Sequence, residues 1–118
     1  TWGAMVQKSI EAVKSSGLNN GEVEIIDLRT LNPIDMEAIQ KSVQKTGKVL
    51  IVHEDTMTGG PGAEIAARIV NELFEYLDGP IARVAAKDCH IPYSWVLEEQ
   101  ILPQTADIES ALTDLLEY

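Results

Sequence analysis

Four apolar residues in an unbroken run, Val49-Leu50-Ile51-Val52, lead directly into His53-Glu54-Asp55. A strand that is apolar on both of its alternating faces has to be covered on both sides. The run is far shorter than the ~20 residues needed to cross a bilayer, so the cover is protein. The flanking sequence supplies helices. On one side Met36, Ile39 and Val43 recur at helical spacing, with Asn32 or Asp35 as the cap before them and Gly47 as the stop. On the other side Gly59-Gly60-Pro61-Gly62 opens the longest helix, predicted to run to about Leu77 along Ile65, Ile69, Leu73 and Leu77.

The same alternation extends in both directions. Val6, Ile10 and Val13, with Met5 and Ala12 beside them, predict an opening helix stopped at Gly17, followed by a turn over Leu18-Asn19-Asn20-Gly21. Val23 to Leu28 is rich in β-branched residues and predicts a strand. Asp78-Gly79-Pro80 breaks the long helix, and Ile81 to Ala86 predicts another strand. Pro92 to Leu102 is irregularly helical, Pro103 interrupts it, and Asp107 to Glu117 is a last amphipathic helix with Ile108, Ala111, Leu112 and Leu115 inside. Helices alternating with strands predict an α/β domain, a mainly parallel sheet with helices on both faces. The 118 residues are the size of one such domain, taken as residues 1–118. The opening helix lacks a preceding strand, and Thr1-Trp2-Gly3 has the look of that strand's tail. The expectation is a piece of a longer polypeptide.

Charge narrows the partners. There are 9 basic and 19 acidic residues, a net of −10. Residues 60–118 hold three of the basic and eleven of the acidic ones. Such a field repels phosphate backbones and anionic lipid, which speaks against nucleic-acid and membrane roles and favours a basic partner. The single Cys89 rules out an internal disulfide and fits a reducing compartment.

In an open parallel sheet, ligands lie beyond the carboxyl ends of the strands. Three polar clusters fall there: Arg29-Thr30, His53-Glu54-Asp55 and Lys87-Asp88-Cys89-His90. Gly59 to Gly62 sits where a phosphate cradle would, but it lacks the third glycine of the dinucleotide pattern and any Gly-Lys-Ser/Thr. Two readings stand, an anion- or nucleotide-binding turn and a tight turn that permits close backbone packing. His53 with Glu54 offers a general base pair, and Cys89 with His90 a thiol nucleophile. Neighbours in an extended segment point to opposite faces, which places that second pair poorly. Zinc would need His53, Cys89 and His90 to converge. Arg29 either pairs with a carboxylate or meets a substrate. Residue chemistry by itself names no reaction.

Several phrases appear together and in one order: Asp27-Leu28-Arg29-Thr30-Leu31-Asn32-Pro33-Ile34-Asp35; the strand into His53-Glu54-Asp55; Gly59-Gly60-Pro61-Gly62-Ala63-Glu64-Ile65-Ala66; Leu77-Asp78-Gly79-Pro80-Ile81-Ala82-Arg83-Val84; and Leu97-Glu98-Glu99 before Leu102-Pro103. Over essentially its whole length the chain resembles the C-terminal domain of the beta chain of thiamine-diphosphate-dependent 2-oxo acid dehydrogenases, a transketolase C-terminal-type domain.

That resemblance implies a three-layer α/β/α sandwich with its first strand or strands truncated. It implies a parent enzyme that decarboxylates a 2-oxo acid and passes the acyl group to a lipoyl arm. Thiamine diphosphate and magnesium belong to that parent, held between the alpha chain and the beta chain's N-terminal domain. This chain, which lacks the Gly-Asp-Gly…Asn signature, would hold no cofactor, metal or catalytic residue and be inactive alone. Implied partners are the alpha chain or domain, a second beta chain (a heterotetramer or fused homodimer), and the basic subunit-binding domain of the lipoyl acyltransferase. The acidic half suits that last partner, with Glu75, Asp78 and the carboxylate of Tyr118 as docking groups; a merely solvated acidic face is the other reading of the same charges. Arg29, His53, Glu54, Asp88 and His90 would edge the active-site region. The phrases at His53-Glu54-Asp55 and Leu77-Asp78-Gly79-Pro80 are closer to branched-chain than to pyruvate enzymes. Asp88-Cys89-His90-Ile91-Pro92 departs from the family, which commonly has proline near the positions of Cys89 and His90. The implied location is the cytoplasm in a bacterium and the mitochondrial matrix in a eukaryote.

Overall fold

The computed structural model describes residues 1–18 and 21–118. The predicted turn at residues 18–21 includes positions outside that set. Helix α1 (Ala4–Ser15) is followed by an extended segment, α2 (Met36–Thr46), β1 (Val49–Thr56) and α3 (Pro61–Leu73). Then come a single 3₁₀ turn (Phe74–Tyr76), β2 (Ile81–Ala86), the short α4 (Trp95–Glu99) and α5 (Thr105–Glu117). Strands β1 and β2 pair in parallel, with Val49 opposite Ile81 and Val52 opposite Val84.

Alternation along β1 builds the layers. Ile51 packs with Leu28, Ile39, Val43, Ile65 and Ile69 beneath α2 and α3. Its neighbour Val52 points the other way, into Met5, Ala12, Ile108 and Leu112 beneath α1 and α5. The result is the expected helix–sheet–helix sandwich. Two caps punctuate it. Asp35 accepts from the Ala38 N–H at 3.0 Å to start α2, and Gly47 ends that helix with φ 70°.

Three sequence expectations need correction. Val23–Leu28 is extended but joins no β-ladder; among the described residues its backbone bonds to another segment only at Thr1. The buried stripe of α1 is Met5, Ser9 and Ala12, one step round from Val6, Ile10 and Val13, because α1 is covered by α5 as well as by the sheet. Helix α3 stops at Leu73, four residues early. There the chain tightens into the 3₁₀ turn so that the Asp78 N–H can reach the Gly47 carbonyl at 2.7 Å and aim Ile81 into the sheet.

Candidate functional site

His53, near the carboxyl end of β1, is fully buried. Its ring lies parallel to that of Trp2, with centroids 5.2 Å apart and planes inclined by 6°. On its other side it meets the first turn of α3. A Cβ at Gly62 would fall within the imidazole, and one at Gly60 would collide with the Thr56 carbonyl. The glycines at 60 and 62 are therefore explained by packing on His53 and β1, the second of the two readings of this turn. Pro61 occupies the first helical position, where its missing N–H costs nothing.

Neither ring nitrogen of His53 has a hydrogen-bond partner among the described residues. Burial holds its pKa below the ordinary imidazole value; the Arg83 guanidinium and the Thr1 amine push the same way, against the pull of Asp55. The ring is thus neutral at physiological pH, with one nitrogen able to accept a proton and the other to donate one.

The other expected edge residues fall in two groups. Around Thr1–Gly3, Arg29 pairs with Asp27 at 3.1 Å and stays largely exposed, which realises the carboxylate reading of that arginine. Arg29 holds φ 56°, with its N–H also turned to Asp27 Oδ1 at 3.3 Å. Glu54 is exposed beside Gly3. The Thr1 amine donates to Ile26 O at 3.1 Å; burial lowers its pKa, against the pull of Asp27. On the neighbouring loop, Asp88 accepts from the Thr58 hydroxyl at 2.6 Å and the Thr58 N–H at 2.8 Å. Those bonds hold its carboxyl below the usual carboxylate range. Asp88, Cys89 and His90 line a shallow hollow with Thr56 and Thr58. Arg83 donates to Met57 O at 3.0 Å and acts electrostatically on both His53 and Asp88, which links the two groups. Cys89 is exposed whereas His53 is sealed, so the zinc set does not assemble, and the chain bends at Asp88 and Cys89. Among the described residues no three His, Cys, Asp or Glu side chains come together in a way that could hold a metal ion.

Glu75, Asp78 and Tyr118 lie at the opposite, amino end of the strands. Asp78 is bonded to Gly47, just ahead of β1, and the Tyr118 ring lies over Gly79. Glu75 is exposed on the 3₁₀ turn. The sequence reading missed Trp2, Thr58 and Arg83 as partners of His53 and Asp88. Only the paired glycines at 60 and 62 carried a signal, since they report a side chain pressed onto the helix start.

The profile described as "Transketolase, C-terminal domain" matches residues 1–108. The pyruvate dehydrogenase E1 component subunit beta of Cyanidium caldarium is 41% identical over 118 residues, all of this chain and 36% of that protein. The protein of the same name from Rickettsia bellii is 38% identical over 112 residues, 95% of this chain and 34% of its own length. A solved structure described as a split gene transketolase, inactive beta4 tetramer, aligns with a TM-score of 0.77 at 26% identity, over 98% of this chain and 36% of that one. The chain thus spans about a third of the length of the relatives it matches.

Proposed function

The chain belongs to the transketolase C-terminal domain family, and on that premise we propose that it serves as the C-terminal domain of the beta chain in the decarboxylating component of a 2-oxo acid dehydrogenase. The observation that carries this reading is the 41% identity, along the entire chain, to a pyruvate dehydrogenase beta subunit. The relatives' names support pyruvate as the parent's substrate, ahead of the branched-chain acid suggested by the phrases at residues 53–55 and 77–80.

Thiamine diphosphate and magnesium do not fit this chain's own residues. Among the described residues no carboxylate set gathers for the cation, and the start of α3 is packed against His53 with Glu54, Asp55 and Glu64 close by in sequence. A diphosphate there would meet like charge. The domain's part is to support the parent's assembly and to border the active-site region with a neutral His53, Arg83 of β2 and the loop at Asp88. Exposed apolar side chains at Ile91, Tyr93, Trp95, Val96 and Leu97 support a role in association with a second beta chain or the alpha chain. At the amino end of the strands, Glu75, Asp78 and Tyr118 would receive the basic subunit-binding domain of the acyltransferase.

Two measurements test this reading. The isolated chain given thiamine diphosphate, magnesium and pyruvate should release no carbon dioxide, while the parent beta chain with its alpha partner should release it; turnover by the isolated chain would overturn the assignment. Calorimetric titration with the subunit-binding domain should give binding that weakens steeply with salt and is lost in Glu75→Lys/Asp78→Lys, as expected for charge-steered docking. No heat at low salt would remove the docking role.

A further inference from the structure

Between β2 and α5 the chain makes an excursion, residues 88–100, whose apolar side chains serve nothing inside the domain. Helix α4 reads Trp95-Val96-Leu97-Glu98-Glu99 and buries none of its residues. Tyr93 is fully exposed, Trp95 is 68% exposed, and Ile91, Val96 and Leu97 are close to half exposed. A cavity of about 190 Å³ beside β1, between Ile65 of α3 and Ile108 of α5, takes in none of them. Apolar side chains left in water forfeit the gain that burial brings, and a contiguous cluster of them marks a protein contact.

The excursion is nevertheless held in shape. Its neck is closed by the Lys87 N–H, which donates to Ile101 O at 3.2 Å. Lys8, on α1, donates through Nζ to Pro103 O at 2.7 Å and to Gln104 Oε1 at 3.0 Å. The Gln104 amide donates in turn to Glu99 O at 2.9 Å and Leu102 O at 2.8 Å. Ser94 O accepts from the Leu97 and Glu98 N–H groups at 3.1 and 2.9 Å, which starts α4. Order therefore comes from the backbone, Lys8 and Gln104, and the side chains of residues 91–97 are left over. A surface ordered in advance loses less conformational freedom when a partner covers it.

Charge narrows what can cover them. Glu98 and Glu99 follow Trp95-Val96-Leu97 in the same short helix, so the cluster carries a negative flank. A second copy of this chain has little to set against it. Arg29, Lys41, Lys45 and Arg68 are already paired with carboxylates of their own chain. Lys8, Lys48 and Arg83 donate to its carbonyl oxygens. Residues 1–59 hold six basic against eight acidic side chains, and residues 60–118 three against eleven, so neither half is positive. Like charges brought together suppress self-pairing, which points to a different chain as the occupant.

Resting on the reading of this chain as a beta-chain domain, we propose that residues 91–97 are a preformed hook that seats in an apolar cleft of the alpha chain. Tyr93 and Trp95 are its anchors, because exposed aromatic side chains supply the most contact area at little entropic cost. Lys or Arg side chains on the rim of that cleft face Glu98 and Glu99. Lys8 is a positioning residue, which holds the hook from behind without touching the partner.

The test uses the full-length parent beta chain and its alpha chain. Tyr93→Ser/Trp95→Ser in the beta chain should weaken alpha binding by about thirtyfold or more, as loss of buried aromatic anchors does. Beta self-association and melting should stay unchanged, because both side chains are exposed in the domain. Glu98→Lys/Glu99→Lys should weaken alpha binding most at low salt. Lys8→Met should weaken it by about three- to tenfold, the worth of a hydrogen bond or two. It should also speed amide exchange over residues 94–101, and Lys8→Arg should restore both. Undiminished alpha binding by the serine pair would overturn the hook. An effect confined to beta self-association would do the same, because the occupant would then be a second copy. Protection of residues 91–97 in the beta chain before alpha is added would also overturn it, since the parent's own remaining chain would then cover them. If the unsubstituted beta chain binds no alpha chain, the beta-chain reading itself fails; equal binding by the unsubstituted and serine-pair chains refutes the hook alone.

Discussion

His53 shows how a single position draws its environment from several parts of the chain. It ends an apolar run that could be read directly as a strand, and its own burial follows from that run. Its stacking on Trp2, fifty-one positions earlier, leaves no local trace, because ring contacts across elements are set by the sheet rather than by spacing. The glycines beneath it were legible as a turn but not as the floor of a histidine. Adding a methyl group there is a direct probe: Gly62→Ala should destabilise the domain by about 1–3 kcal/mol, the usual cost of overpacking, measured by urea unfolding. The neutral ring makes a second prediction. Because its folded pKa is depressed below 6.5, the unfolded chain takes up a proton that the native ring refuses as pH falls through 6.5. Stability should therefore decline on acidification from that point until the native ring itself protonates. In His53→Asn this part of the slope should vanish when unfolding midpoints are compared between pH 7.5 and 5.

The elements divide by how local their causes are. Helix α2 was legible in its Met36–Ile39–Val43 stripe and its glycine stop, while the cap stood open between Asn32 and Asp35 until the structure assigned it to Asp35. Its N-terminus is accordingly sensitive to one side chain: Asp35→Ala should cost about 1 kcal/mol in thermal or chemical unfolding, whereas Asp35→Asn should cost much less. Strands β1 and β2 were also plain, as β-branched runs between turn residues. The Val23–Leu28 segment has the same composition yet forms no ladder, because a strand needs a neighbour and composition cannot supply one. The early end of α3 was hidden for a related reason, since the Asp78–Gly47 bond that fixes it joins residues far apart in sequence. The rotation of the α1 stripe likewise follows from α5, nearly a hundred residues away.

At the scale of the whole molecule, the layered α/β architecture could be read from the order of periods, and the family from the order of phrases. The acidic second half was visible in composition, but its sorting was not. Glu75 and Asp78 go to the amino end of the strands, while Asp88 is bound into the loop with Thr58 at the carboxyl end. The apolar cavity between the two helical layers has a mechanical consequence. Unfilled space inside a protein is lost when the chain opens, so compression favours the open form. Monitored by tryptophan fluorescence under hydrostatic pressure, the chain should unfold at lower pressure than its Val23→Ile variant, whose added carbon takes up part of that space. The space beside β1 would make it a soft molecule, one that yields to squeezing before it yields to heat.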